Sequence, residues 1–121
     1  MADMNSVNTW RLGPRDTPVA ALKRATETHP DKCFLDFSGD RYTYRAFDSL
    51  TNRRASALRS LGVASGHTVT SLLDNGIDAV ALWFALNKLS AVSVPLNTAL
   101  KGEFLRHQIA DAASAIVVCE A

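Results

Sequence analysis

The chain is short of cysteine, of net charge and of long apolar runs, and each shortage removes a class of function. Cys33 and Cys119 are the only cysteines, too few for a small secreted scaffold held by disulfides. Both sit in β-branched or aromatic runs, so the expectation is two reduced thiols packed in a core. Thirteen Lys plus Arg stand against twelve Asp plus Glu, a formal net charge of +1. No global field then draws the chain to nucleic acid or to an anionic membrane, and no nucleic-acid partner is expected. The longest apolar cluster, residues 79–86, falls far short of the ~20 residues of a membrane span. Residues 1–10 show no basic segment followed by an apolar run, so no secretory signal is read and a cytoplasmic location is expected. His29, His67 and His107 share no ligand spacing with the cysteines, and no metal site is expected.

What remains is an ordinary globular composition, 47% hydrophobic and 21% charged over 121 residues. That is too apolar for a disordered chain and enough for one modest core. Residues 1–17, mixing Asn, Asp, Gly and Pro, read as a loose N-terminal arm, and residues 18–121 as the folded part. Thr17 can cap a helix with Pro18 in its first turn, ended by His29-Pro30. Residues 33–37 and 41–43 read as a hairpin about Ser38-Gly39-Asp40. Thr43 can cap a helix to about Ser60 with Phe47, Leu50, Ala57, Leu58 and Leu61 as its apolar stripe, closed by Gly62. A strand over 69–73 follows. Asn75 and Asp78 suggest a capping box for a helix to about Leu89 that is apolar nearly all round and therefore buried. A strand at 91–94 stops at Pro95, Thr98 can cap a helix with Leu105, Ile109 and Ala112 inward, and 115–119 is the last strand. Alternating strands and helices with continuous apolar strands predict an α/β fold, a mostly parallel sheet with helices on both faces.

Two stretches, "HPDKCFLDFSGDRYTYRAFDSLTNRRASALRSLGVASGHTV" and "LLDNGIDAVALWFALNKLSAVSVPLN", carry a family resemblance. The pieces are Pro30-Asp31-Lys32, Thr43-Tyr44, Asn52-Arg53 with Ala55 and Leu58, Leu61-Gly62-Val63 with Gly66, Asn75, and Val94-Pro95-Leu96-Asn97. In this order and spacing the chain resembles the N-terminal portion of the adenylate-forming (AMP-binding) ligases. These include acyl-CoA synthetases, luciferases and the adenylation domains of peptide synthetases. The run "NTALKGEFLRHQIADA" is most similar to fatty-acid and carnitine-type CoA ligases. The resemblance implies the N-terminal part of a large domain, whose full-length relatives use ATP, Mg²⁺ and CoA to turn a carboxylic acid into an acyl-adenylate and then a thioester. It also implies that Val94-Pro95-Leu96-Asn97 serves the fold, with Asn97 bonding its own turn. Three departures from the family pattern stand out: Arg54 at an aliphatic position, His67-Thr68 after Gly66, and Ser90 in place of a glycine. If position 90 requires positive φ, serine there costs about 1 kcal/mol.

Adenylate formation needs a hydroxyl- and glycine-rich loop with a lysine for the ATP phosphates, acidic groups for Mg²⁺, and a further catalytic lysine. None of these motifs is read in residues 1–121, so no catalytic, cofactor-binding or metal-ligating residue is assigned. Gly62 and Gly66 precede a strand, the wrong context for a phosphate loop. Asp36 and Asp74 each follow a strand, as in a phosphate-accepting receiver, but no acidic pair accompanies Asp36. Arg41, Arg45, Arg53, Arg54 and Arg59 crowd one helix with only Asp48 to answer them, a solvated face or a contact for CoA or nucleotide phosphates. Two readings follow. The first is a fragment of a carboxylate–CoA ligase, inactive alone, whose partner is the remaining ligase domain or a second copy. The second is a truncated, non-catalytic α/β interaction module.

Overall fold

The computed structural model describes residues 13–120. Most of the expected arm lies outside them. Gly13 and Asp16 form a turn closed by the Asp16 amide on the Gly13 carbonyl at 3.0 Å and the Gly13 amide on Asp16 Oδ2 at 2.7 Å. Helix α1 (Pro18–Thr28) then starts as expected, with the Thr17 hydroxyl accepting from the Ala20 amide. Strands β1 (Cys33–Phe37) and β2 (Asp40–Thr43) form an antiparallel hairpin. Asp36 holds its turn, accepting from the Gly39 amide at 3.0 Å and pairing with Arg41 at 3.2 Å. The hairpin is a sheet of its own, so the first strand does not join the parallel sheet.

Helix α2 (Tyr44–Ser60) is capped by the Thr43 hydroxyl. Its buried face is Phe47, Leu50, Thr51, Ala55 and Leu58. Ala57 lies outside that face and Leu61, past the helix end, is 68% exposed, which corrects the expected stripe. Strand β3 (Thr68–Leu72) is the centre of a three-stranded parallel sheet of order β4-β3-β5, with β4 at Val92–Pro95 and β5 at Ile116–Cys119. Only β3 is covered from both sides. Full burial is confined to Val69, Thr70 and Ser71 of β3; β5 alternates in exposure and β4 is exposed at both ends, so the continuous burial expected of every strand holds for the middle of the central one alone. Cys33 and Cys119, which were expected in the core, are exposed: both are free thiols, one on the separate hairpin and one on the outer strand β5.

Helix α3 (Ile77–Lys88) connects β3 to β4, and α4 (Gly102–Ala112) connects β4 back across β3 to β5. Parallel crossovers are right-handed, so the reversal of direction puts these helices on opposite faces. On one face, Val69, Ile116 and Val118 pack with Leu82, Ala85 and Leu86 of α3 and with Ala55 and Leu58 of α2. On the other, the hydroxyls of Thr70 and Ser114 bond to each other, but α4 buries no residue fully. Leu105, Ile109 and Ala112 are half-buried there, while Val92 and Val117 remain 50% and 40% exposed. A second core of Leu22, Phe47, Leu50, Ala81 and Phe84 joins α1, α2, α3 and the hairpin, with the Phe34 ring stacked on Tyr44 at 4.9 Å. Two expected caps are absent. The residue before α3 is Gly76 and the residue before α4 is Lys101, neither with a side-chain cap, so Asn75 and Thr98 are freed for other surroundings.

Candidate functional site

The arginine cluster dissolves on folding. Arg45 pairs with Asp31 at 3.4 Å, Arg54 with Asp78 at 3.2 Å, and Arg41 with Asp36. Asp48, expected to answer the arginines, instead binds Lys88 of α3 at 2.6 Å. Three of the five guanidinium groups are thus neutralised by carboxylates, which supports a solvated face over a phosphate contact. The histidines are scattered: His29 ends α1, His67 Nδ1 accepts from the Ala64 amide at 3.0 Å, and His107 pairs with Asp111 on α4. Gly62 and Gly66 sit in turns at φ +95° and +81°. Among the described residues no three His, Cys, Asp or Glu side chains gather where a metal could bind.

Ligands of open α/β sheets collect beyond the carboxyl ends of the strands, where the chain leaves adjacent strands in opposite directions. Here that point lies between β3 and β4: β3 feeds α3 on one face, and β4 feeds α4 on the other. Two adjoining cavities occupy it. One of about 360 Å³ has Ser71 and Ser93 from the strands and Val80, Trp83, Pro95 and Leu96 on its sides. The other, about 300 Å³, is bounded by Asp74, Asn75, Asn97 and Thr98, and Leu73 and Leu96 line both. Asn97 Oδ1 accepts from the Ala99 amide at 2.9 Å, the local turn expected of it. Asp74 donates its backbone amide to Glu120 Oε1 at 3.1 Å, tying the end of β3 to the end of β5. Among the described residues no Lys or Arg lines either cavity. Such a donor set does not fit the phosphates of ATP, which need cations and a row of backbone amides.

A third cavity, about 340 Å³, lies on the β5 side of β3 between the Arg54–Asp78 pair, Leu82, Cys119 and Glu120. Arg54, which stands at an aliphatic position of the family pattern, has a side chain that is 54% exposed and has found a carboxylate. Trp83 is the residue that sequence reasoning misplaced. It belongs to the helix expected to be buried, yet it is 47% exposed at the mouth of the crevice, its ring against the Phe84 edge at 5.1 Å.

Residues 22–121 match the AMP-binding enzyme family. The chain is 34% identical over 109 residues to the long-chain-fatty-acid–CoA ligase FadD13 of Mycobacterium tuberculosis, covering 90% of this chain and 20% of that protein. The fold superposes on a Mycobacterium tuberculosis fatty acyl CoA synthetase with a TM-score of 0.76 at 29% identity, over 84% of this chain and 20% of that one. On VinN the TM-score is 0.86 at 25% identity, over 91% of this chain and 28% of VinN. The chain belongs to the AMP-binding enzyme family and has the fold of the N-terminal part of an adenylate-forming ligase domain. It spans about a fifth of the length of the fatty-acid–CoA ligase it matches.

Proposed function

We propose that this chain forms the N-terminal part of the large domain of an ATP-dependent carboxylate–CoA ligase, and that it has no ligase activity by itself. In this reading the complete enzyme joins a carboxylic acid to AMP and then to the thiol of CoA, in the cytoplasm. The observation that carries the reading is the family match over residues 22–121. The similarity to a long-chain-fatty-acid–CoA ligase supports an acyl substrate. Inactivity in isolation rests on the crevice at the strand ends, which has one carboxylate, several amides and hydroxyls, and no cation. Nothing in that set can balance the charge on a phosphorus under attack. Within this reading the half-covered face of the sheet, with Val92 and Val117, is where the remainder of the ligase docks.

The test is ATP–pyrophosphate exchange by the purified 121-residue chain across a panel of fatty and aryl acids. No exchange above a boiled control is expected, and measurable exchange would overturn the inactivity. The family reading has its own check in the coding sequence after Ala121. A Ser/Thr/Gly-rich stretch with a lysine supports the ligase, whereas an in-frame stop favours the non-catalytic interaction module.

A further inference from the structure

Helices α2 and α3 each bury five residues, and α4 buries none. The first two are also tied down by charge: Lys88 of α3 reaches Asp48 of α2, Arg54 reaches Asp78, and Arg45 holds Asp31 ahead of the hairpin. In α4 the ion pairs are internal, Arg106 with Glu103 at 2.9 Å and His107 with Asp111 at 3.0 Å. Among the described residues no hydrogen bond or ion pair joins a side chain of α4 to another element. What holds this helix down is one stripe of half-buried side chains, Leu105, Ile109 and Ala112, while Phe104 beside it is 78% exposed.

Both ends of α4 are break points in the backbone. Its first residue, Gly102, has φ +59°, and the residue after its last, Ala113, has φ +48°. Glycine adopts that left-handed region freely, whereas an alanine there brings its Cβ against the following carbonyl and is strained. Lys101 gives the first turn no side-chain cap. Just outside these points the chain is anchored to β3. The Leu96 amide bonds the Ser71 carbonyl at 2.8 Å on one side; on the other, Ser114 bonds Thr70 and the Ala115 amide bonds the Thr68 carbonyl at 2.8 Å. A lightly held helix between two fixed ends, bounded by residues that readily change backbone angle, is how a hinged segment is built.

We propose that α4 is a hinged cover of the sheet, lifting as one unit between Asn97 and Ser114 while the sheet, α2 and α3 stay folded. Docked, it packs on the centre of β3, where Thr70 is fully buried, and leaves Val92 and Val117 uncovered on its two flanks. Lifted, it joins those flanks into one apolar face. The side chains it withdraws are only half-buried to begin with, so opening forfeits little apolar contact compared with the loss of α2 or α3. Release of Ala113 from its left-handed conformation favours the open form further. The face uncovered is the one on which the remainder of the ligase would dock, but the opening belongs to the 121-residue chain and does not rest on that reading.

Native-state hydrogen exchange of the ¹⁵N-labelled 121-residue chain, followed by NMR in rising low concentrations of urea, reads the opening directly. The amides of Arg106 to Ala112, which bond within α4, are expected to exchange together and to be at least about tenfold less protected than those of Ala81 to Lys88 in α3. Their exchange should also depend less steeply on urea, because little surface is exposed. The β3 amides should follow α3. Ile109→Ala, which thins the apolar stripe, is expected to speed exchange in α4 by about tenfold, and Ala113→Gly to slow it by about threefold. Asp48→Ala weakens the α2–α3 tie and should speed α3 by about tenfold while leaving α4 unchanged, since the open form keeps that tie. A single rate and urea slope for α3 and α4 would overturn the proposal, as would α4 responding to Asp48→Ala as strongly as α3. Protection that falls away gradually from one end of α4, or an α4 rate unmoved by Ile109→Ala, would also overturn it, the first showing fraying and the second a helix not held by its stripe.

Discussion

Lys88, at the end of α3, reaches across to α2 and donates from Nζ to Asp48 Oδ1 at 2.6 Å and to Asn52 Oδ1 at 2.7 Å. Its side chain is only 14% exposed, and the pair joins the two helices on which both cores are built. Asp48→Ala leaves a largely buried ammonium with Asn52 and a backbone carbonyl, and hydrogen bonds to charged groups are worth more than neutral ones. The expected loss is about 1–3 kcal/mol, read by urea denaturation. A loss below about 0.5 kcal/mol, the level of a surface pair, would show that the interaction is effectively solvated.

Helices α2 and α3 end in the same motif with different residues. At the end of α2 the Val63 amide bonds the Leu58 carbonyl at 3.0 Å and the Gly62 amide bonds Arg59; at the end of α3, Ala91 bonds Leu86 at 2.9 Å and Ser90 bonds Asn87. The left-handed residue is Gly62 in the first case and Ser90, at φ +56°, in the second. Ser90→Gly relieves the clash of a Cβ in that conformation and loses some chain entropy. The net gain is expected to be about 0.5–1 kcal/mol. In a thermal melt this is a rise of a few degrees, and an unchanged or lower midpoint would contradict it.

Arg54 reaches Asp78 across the α2–α3 interface, but both side chains are more than half exposed, at 54% and 73%. A pair so solvated contributes about 0–1 kcal/mol, and a leucine at a half-exposed position regains part of that by covering apolar surface. Arg54→Leu is therefore expected to change stability by less than about 0.5 kcal/mol. A loss well above that would show that Arg54 organises the cavity it borders with Leu82, Cys119 and Glu120.

Strand β5 is an edge among the described residues, it carries no charge, and Val117 on it is 40% exposed. Such an edge pairs readily with other chains. Val117→Lys is expected to raise solubility and to weaken concentration-dependent self-association in size-exclusion chromatography while the cooperative melt is retained. Loss of the melt would mean that Val117 is covered by structure the fold requires.

The elements were legible from local rules. Thr17 and Thr43 are the caps of α1 and α2, Gly62 closes α2, and position 90 takes the positive φ that made its serine notable. Caps, turns and left-handed positions depend on neighbours within a few residues, so the amino-acid order alone determines them. The parallel α/β class and the family resemblance were also readable, because alternating helices and strands leave few arrangements open. What the order of residues could not decide was which strand lies in the middle. Once β3 takes the centre, β5 becomes an edge with Cys119 exposed, Cys33 lies exposed on a hairpin that is a sheet of its own, and full burial is confined to the middle of β3. The charge partners were equally hidden, since Asp48 and Lys88 are forty residues apart and Asp78 meets Arg54 from another helix. The crevice, lined by Ser71, the exposed Trp83 and Asp74, exists only because β3 and β4 become neighbours whose following helices leave on opposite faces. Neighbourhood across a sheet is a long-range relation, and no local pattern in the chain encodes which side chains it will bring to one opening.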